Sequence, residues 1–386
     1  MPFAAALSEH PSPVEAIGEV VGSVLDRIGP APDLAVLFVS PGLAGATEDL
    51  AATVRAMLEP TVMLGATAST VIGGGREVED GPAVSLWAGR VGPMQAVRIQ
   101  AVATDGGIQV RGVPAVAGGE PRTLLLLADP FSLPVDGLLE HVAVAQPDLT
   151  VVGGLASAAR GPGGNRLVLD GAVHRDGAVG VVLPPDVELA PLVSQGCRPV
   201  GEPMIVTEVD GRVLLGLAGV PALDRLVEVS RTIGADDRDL FELGPQIGIV
   251  VDEGRITFGT GDFLIRNVMG GDPDRRGILI GDRVEVGTTV QFHVRDAASA
   301  DEELRSLLAG LGVGAPPGAE QGALIFTCNG RGSPFFGVAD HDAELVSDLV
   351  GPAVAGMACA GEIGPVGGRS HLHGYTASVL LLRDRL

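Results

Sequence analysis

The segments GALIFTCNG (322–330), DAELVSDLVG (342–351) and PAVAGMACAG (352–361) follow one another near the end of this 386-residue chain. The first and third contain apolar runs of strand length, and the middle one has the spacing of an amphipathic helix. Short apolar runs on either side of a helix are typical of a β-α-β unit with a buried parallel sheet. A Gly-rich segment, GPVGG (364–368), and another apolar run, TASVLLL (376–382), complete the pattern with a further strand.

Two earlier stretches repeat this order of strand, helix, strand, Gly-rich loop and strand. One runs from DLAVLFVSP (33–41) to AVSLWAG (83–89), and the other from RTLLLLADP (122–130) to AVGVVLP (178–184). A degenerate fourth copy, without the connecting helix, is expected at 245–296. We therefore predict an α/β (mixed α+β) protein in which repeated β-α-β-β units form mixed sheets covered by helices, as two similar halves.

The expected junction between the halves is LAGVPALDRLVEV (217–229), where a Gly/Pro turn opens a helix. The chain then divides into an N-terminal helical extension (1–29), a domain with two repeats (30–220), and a domain with one clear and one degenerate repeat (221–386).

The composition excludes several classes of function. The chain contains no lysine, and its 26 basic and 48 acidic side chains give a formal net charge of −22. Schiff-base chemistry, pyridoxal-phosphate anchoring and the P-loop all need a lysine amine. Nucleic acids and anionic membrane surfaces select basic patches, so neither is an expected partner.

The chain also has the features of a soluble cytoplasmic protein. Its three cysteines are too few for a disulfide scaffold and fit a reducing compartment. No signal peptide is recognisable at the start. The longest apolar runs, such as LAVLFV (34–39) and TLLLLA (123–128), have the length of buried strands and are far too short to span a membrane.

Standard catalytic and binding signatures are absent from the sequence. It has no Walker motif, HExxH, CxxC, GxSxG elbow, EF-hand loop or GxGxxG between a strand and a helix. No cofactor and no metal are therefore expected.

The polar side chains concentrate in FTCNGRGSPFFG (326–337) and MACAGEIGPVGGRSHLHGYT (357–376), which begin at the ends of strands in the third copy. Ligands of open α/β sheets bind at the carboxyl ends of strands, so the two segments should flank one crevice. Their counterparts LGATAST (64–70) and GGLASA (153–158) are small and nearly chargeless. The predicted ligand-binding residues of this crevice are Cys328, Asn329, Arg331, Cys359, Glu362, Arg369, His371 and His373. The degenerate copy adds a second group, Arg266, Asn267 and Arg295.

Each of these residues also has a purely structural interpretation. Buried cysteines at strand ends are usually small apolar side chains, but a thiolate would be a nucleophile. His371 and His373 share a strand face and would bind zinc together with Cys359, or would simply be exposed. Arg331 would bind the carboxylate or phosphate of a ligand, or would form an ion pair with one of the many acidic side chains of the chain. Glu362 follows a glycine turn and either binds ligand or is solvated.

The C-terminal motifs DFLIRN, VEVGTTVQFHVRDA, FTCNGRG, AGEIGPVGG and LHGYT resemble the C-terminal domain of the FIST (F-box and intracellular signal transduction) family. VMLGATAST and VVGGLASA are similar to the FIST N-terminal domain. The resemblance implies a sensory module for small ligands such as amino acids, and it provides no catalytic residues.

Residues and resemblance together predict a stand-alone small-molecule sensor without enzymatic activity of its own. The expected ligand is a small anion or zwitterion such as an amino acid, with Arg331 at its carboxylate, Glu362 at its amine and Asn329 at the remaining polar groups. The signal would leave through an unidentified protein partner. Two other classes remain open: an interaction scaffold without a ligand, and a hydrolase or transferase that uses Cys328 or Cys359.

Overall fold

The chain forms two compact units. The computed structural model describes residues 2–116, 120–185, 187–255, 257–259, 261–312 and 320–384. The first unit comprises Met1–Val193 and Arg305–Leu386, and the second comprises Ser194–Leu304. The three clear repeats therefore belong to the first unit, and the expected fourth copy belongs to the second.

Most strands of the first unit precede the second unit in the chain. These strands are β1 (Phe3–Ser8), β2 (Leu34–Val39), β3 (Val62–Thr67), β4 (Val71–Gly73), β5 (Arg76–Val78), β6 (Val84–Gly89), β7 (Gln95–Thr104), β8 (Gly107–Arg111), β9 (Arg122–Ala128), β10 (Leu149–Leu155), β11 (Leu167–Leu169), β12 (Ala172–His174), β13 (Ala178–Leu183) and β14 (Glu188–Ser194). The helices between them are α1 (Pro13–Ile28), α2 (Thr47–Leu58) and α3 (Val135–Ala145), with a 3-10 helix at Pro41–Ala46.

The remaining elements follow in the same order. The strands are β15 (Cys197–Asp210), β16 (Val213–Leu217), β17 (Val220–Pro221), β18 (Gln246–Val250), β19 (Phe263–Asp272), β20 (Gly277–Ile280), β21 (Thr289–Arg295), β22 (Gln321–Cys328), β23 (Val354–Cys359), β24 (Glu362–Val366), β25 (Arg369–His373) and β26 (Ala377–Arg383). The helices are α4 (Ala222–Thr232), α5 (Ala235–Leu243), α6 (Ala297–Gly312), α7 (Ser333–Phe336) and α8 (His341–Val350). None of the helices in the described part of the chain is both long and apolar enough to cross a membrane.

Each clear repeat forms the predicted β-α-β-β unit. Its first strand (β2, β9 or β22) pairs in parallel with the strand after the helix (β3, β10 or β23). The same first strand pairs antiparallel with the last strand of the repeat (β6, β13 or β26). A parallel pair needs a crossover connection, which α2, α3 and α8 supply. The prediction of mixed sheets is confirmed.

Between its second and last strands, each repeat contains a β-hairpin that joins the sheet of another repeat. The β4–β5 hairpin of the first repeat pairs with β23 of the third, and β24–β25 of the third pairs with β10 of the second. The β11–β12 hairpin of the second repeat pairs with β3 of the first. Each hairpin thus covers a strand edge that would otherwise be open, and the exchange links the three repeats in a ring.

The three sheets share one apolar core. Phe38, Leu125 and Phe326, from the first strands of the three repeats, belong to this core together with Trp87. The residues that alternate with them face the helices, as Leu37 and Leu126 do. Both faces of these strands are therefore buried, which explains their continuous apolar runs.

The second unit corrects the expectation of a fourth copy. β18 pairs antiparallel with both β19 and β21, and β19 pairs antiparallel with β20. The predicted copy lacks the connecting helix, and what differs from the clear repeats is that its first strand has no parallel neighbour among the described residues. The connection between β18 and β19 is rich in glycine and charge and has no helical apolar period, so it cannot provide the crossover that a parallel pair needs.

Candidate functional site

The polar segments of the third repeat meet at the carboxyl ends of β22 and β23. Cys328 lies directly opposite Cys359 in the parallel register. The N–H of Asn329 donates to the carbonyl oxygen of Cys359 at 3.0 Å. Glu362 interacts with both Cys328 and Arg331. The structure therefore brings these five predicted residues together within the first unit.

The guanidinium of Arg331 forms a buried ion pair. Its Nε and Nη2 donate to the two carboxylate oxygens of Asp342 at 2.7 and 2.9 Å. Its Cζ lies 5.1 Å from the centre of the Phe336 ring. Burial alone would raise the pKa of Asp342, but the charge and hydrogen bonds of Arg331 lower it to about 2. Of the two interpretations of Arg331, the structure favours the internal ion pair over a ligand carboxylate.

Glu362 is fully buried. Its Oε2 accepts hydrogen bonds from the Thr376 N–H at 3.1 Å and the Thr376 hydroxyl at 2.8 Å. Burial raises the pKa of Glu362 to about 8, although the Thr376 hydrogen bonds and the charge of Arg331 act in the opposite direction. The carboxyl group is therefore mostly protonated at neutral pH. This corrects the expectation that Glu362 offers a negative charge to a ligand amine or is solvated.

Cys359 has the surroundings of a packed side chain. It is fully buried against Gly154, where an added Cβ atom would clash with the Cys359 Sγ. Burial, together with the neighbouring Glu362 and Cys328, raises the pKa of the Cys359 thiol well above its usual value. A catalytic cysteine needs a thiolate at neutral pH, so these surroundings favour the packing interpretation.

We expect the thiols of the folded protein to react slowly with a thiol reagent such as dithionitrobenzoate. All three cysteines are buried, and the raised pKa keeps Cys359 protonated. At pH 7.5 the native chain should release much less than one equivalent of chromophore in the minutes in which the urea-unfolded chain releases three. Rapid release of one equivalent that disappears in Cys328→Ala or Cys359→Ala would favour the cysteine-enzyme alternative.

Arg369, His371 and His373 lie in β25, an edge strand. His373 is buried, with its Nε2 2.9 Å from the Gly364 carbonyl oxygen, and its ring centre is 6.1 Å from that of His371. Arg369 is exposed beside a cavity of about 130 Å³ whose wall includes apolar residues of α3. Within the described residues, no group of three or more His, Cys, Asp or Glu side chains could hold a metal ion. Cys359, His371 and His373 therefore do not form a zinc site.

The second predicted group belongs to the second unit. Arg266 and Asn267 lie in β19, and Arg295 lies in β21. The Nε of Arg266 donates to Asp282 at 2.8 Å, and Asn267 pairs in register with Gln246. The group of Cys328, Asn329, Arg331, Cys359 and Glu362, in contrast, lies entirely within the first unit.

A cavity of about 140 Å³ lies beside the ends of β22 and β23. Its lining combines the third repeat with the exchanged hairpin of the first. The lining residues are Thr70, Glu77, Glu79, Thr327, Asn329, Gly330, Arg331, Gly332, Pro334 and Ala358. Asn329 and Arg331 thus line this cavity, and the hairpin contributes two carboxylates to it.

Glu77 and Glu79 connect the hairpin to the starts of two helices. Glu77 Oε1 accepts a hydrogen bond from the Ala343 N–H in α8 at 2.9 Å. Glu79 accepts from the N–H and hydroxyl of Ser333 at 2.7 and 2.9 Å. Burial, with repulsion from Asp342 and Glu79, raises the pKa of Glu77 to about 7. A carboxylate has about four acceptor positions, so both groups keep capacity for a molecule in the cavity.

Family comparisons agree with the motifs. The FIST N domain matches residues 33–220, and the FIST C domain matches residues 222–365. The chain belongs to the FIST family. FIST domains are sensory domains of signal transduction. This FIST protein is 43% identical over 386 residues to the uncharacterized protein Rv0628c of Mycobacterium tuberculosis (strain H37Rv), covering 100% of both chains. It is also 43% identical over 377 residues to the uncharacterized protein Mb0898c of Mycobacterium bovis, covering 97% of each.

Sequence reasoning missed three acidic residues of this FIST protein: Glu77, Glu79 and Asp342. The charged motif REVED (76–80) was a visible signal, because it interrupts an otherwise apolar repeat. The hairpin exchange brings this motif beside the third repeat, and the sequence alone does not reveal that exchange. Asp342 gave no such signal, since acids are common in the first turn of a helix.

Proposed function

We propose that this FIST protein is a cytoplasmic sensor that binds a small, amino-acid-like molecule in the cavity beside Asn329 and signals through a partner protein. The supporting observation is the cavity itself, which joins polar groups of two repeats at the carboxyl ends of adjacent strands. This is the usual position of ligand sites in α/β sheets. Membership of a family of sensory domains supports the same function.

The volume of the cavity limits the size of the ligand. A cavity of about 150 Å³ accommodates benzene, which has six non-hydrogen atoms. The cavity beside Asn329 measures about 140 Å³. Glycine, alanine and serine are therefore suitable candidates, whereas larger amino acids would have to extend beyond the cavity.

The proposed roles differ from those expected from the sequence. The carboxylates of Glu77 and Glu79 would accept hydrogen bonds from the ligand amine, and the exposed amide of Asn329 would donate to its carboxylate. Arg331 would act through Asp342 by holding the loop in place. A ligand in this position would join the exchanged hairpin to the loop before α7, and this added stability would be the signal that a partner recognises.

Thermal unfolding with a panel of small amino acids tests this function. A ligand at 100 times its Kd stabilises the folded state by about 2.7 kcal/mol. The stabilisation should be weakened in Asn329→Ala and preserved in Asn267→Ala, a matched change in the second unit. If Asn267→Ala loses the ligand-induced stabilisation and Asn329→Ala keeps it, the site lies in the second unit. If no small amino acid stabilises the wild type, the amino-acid-sensor proposal is wrong.

A further inference from the structure

We infer that the cavity beside Asn329 is a binding site for a primary ammonium group, held by the carboxylates of Glu77 and Glu79 and the hydroxyl of Thr327. Its ligands would be small primary amines, with or without a carboxylate. This inference rests on the proposed function because it uses the same cavity, and it specifies the chemical class that the cavity selects.

The charges on the cavity wall favour a cation. Arg331 is the only basic residue among the lining residues that the structure describes, and Asp342 neutralises it in a buried ion pair. Within the same part of the chain, neither Glu77 nor Glu79 has a basic partner; both accept hydrogen bonds from neutral groups at the starts of α7 and α8. An anionic ligand would be repelled by these carboxylates, and an ammonium group would be attracted to them.

Thr327 provides a second, independent observation. It lines the cavity and is only 2% exposed, and its hydroxyl takes part in none of the side-chain hydrogen bonds of the described residues. The hydroxyl oxygen is not one of the fully buried atoms without a partner, so it stays accessible at the cavity wall and can accept a hydrogen bond from a molecule there. A ligand with several donors would satisfy this hydroxyl at the same time as the two carboxylates.

An ammonium group matches this set of acceptors. It carries three N–H donors and no acceptor, and the acceptors of the wall include the carboxylates of Glu77 and Glu79 and the hydroxyls of Thr70 and Thr327. Hydrogen bonds between an ammonium and a carboxylate are roughly twice as strong as neutral ones. The carboxylate of an amino acid, in contrast, would find only neutral donors and the already paired Arg331. Recognition would therefore depend mainly on the amine.

Binding at this site should be coupled to a proton. The charged groups around Glu77 are Arg76, Glu79, Arg331, Asp340, His341 and Asp342. Burial and the nearby Asp342 and Glu79 raise the pKa of Glu77 to about 7, so the free site is partly protonated at neutral pH. An arriving ammonium would favour the ionised carboxylate and release this proton. The affinity should therefore increase by about tenfold between pH 6 and pH 8, following the ionised fraction of Glu77.

Isothermal titration calorimetry with three probes of similar size tests the inference. Ethanolamine carries the amine alone, glycine carries amine and carboxylate, and glycolate carries the carboxylate with a hydroxyl in place of the amine. We expect ethanolamine and glycine to bind within about tenfold of each other, and glycolate to bind at least about tenfold more weakly than both. Glu79→Gln and Thr327→Val should each weaken the binding of ethanolamine, whereas Glu140→Gln, a substitution at an exposed position of α3, should leave it unchanged. Glu77→Gln should remove the pH dependence of ethanolamine affinity.

The outcomes separate this inference from the proposed function. Binding of glycolate but not ethanolamine to the wild-type protein would overturn the inference and leave a small-molecule sensor in place. If glycine binds and ethanolamine does not, the carboxylate is required; the inference fails and the amino-acid sensor stands. If none of the three binds, the inference and this cavity as the sensor site are both wrong. These comparisons use the wild type, so they hold even if a variant fails to fold.

Discussion

Replacing Arg331 with alanine should lower the free energy of unfolding of the first unit by about 3–5 kcal/mol. The change leaves the Asp342 carboxylate in a position where its side chain is only 2% exposed, without the cation that compensates its charge. Removing one partner of a buried ion pair is strongly destabilising for this reason, whereas exposed pairs contribute about 1 kcal/mol or less. The loss of the Arg331 contact with the Phe336 ring would add to the effect.

Urea titration followed by the fluorescence of Trp87 measures this effect. Trp87 is the single tryptophan of the chain and is buried in the core of the first unit, so its signal reports on that unit. The control is Arg76→Ala, which removes an exposed guanidinium from its pairs with Glu9 and Asp340 and should change the free energy by less than about 1 kcal/mol. Replacing both buried partners, as Arg331→Met with Asp342→Leu, should recover much of the loss. A loss below about 1 kcal/mol in Arg331→Ala would contradict the buried ion pair.

The repeat architecture was predictable because it depends on local patterns. Continuous apolar runs such as LAVLFV and TLLLLA indicate strands buried on both faces, and the helices between them require a parallel crossover. The hairpins were not predictable in the same way. In the first and second repeats the hairpin strands, such as VIG and REV, have only three residues, and the hairpins of all three repeats pair with a strand of another repeat. A strand of this length has too few positions for its periodicity to be recognised.

The place where the candidate residues meet could be anticipated from the sequence, but their surroundings could not. The unequal distribution of polar side chains among the repeats pointed to the ends of β22 and β23, where Cys328 and Cys359 lie opposite each other. However, Arg331 lies between two glycines, and Glu362 follows a glycine at the start of β24. Such positions are typical of exposed loops, yet both side chains are buried. Burial of a charged group depends on tertiary partners, here Asp342 for Arg331 and Thr376 for Glu362. These contacts have no signature in the local sequence.

Glu362→Gln should make the first unit more stable than the wild type at alkaline pH. The pKa of Glu362 is raised to about 8 in the folded protein, mainly by burial, and is near its usual value in the unfolded chain. At a pH between the pKa of Glu362 in the unfolded chain and its pKa in the folded protein, the folded state holds a proton that the unfolded state has lost. The wild-type stability therefore falls as pH rises through this range, by at most about 5 kcal/mol from this group. Glutamine cannot ionise, and its amide oxygen can still accept the hydrogen bonds of Thr376.

Urea titrations with Trp87 fluorescence at pH 5, 7 and 9 measure the difference between Glu362→Gln and the wild type. The difference should be small at pH 5, about 1 kcal/mol, because this pH lies just above the pKa of the unfolded chain, and should reach several kcal/mol in favour of the variant at pH 9. Other groups with shifted pKa values, such as Glu77 and Asp342, affect both proteins equally and cancel in this comparison. The exposed change Glu344→Gln should show no such pH dependence. Parallel pH profiles for Glu362→Gln and the wild type would mean that the Glu362 carboxyl titrates like an exposed one, because only a raised pKa in the folded state makes the two profiles diverge.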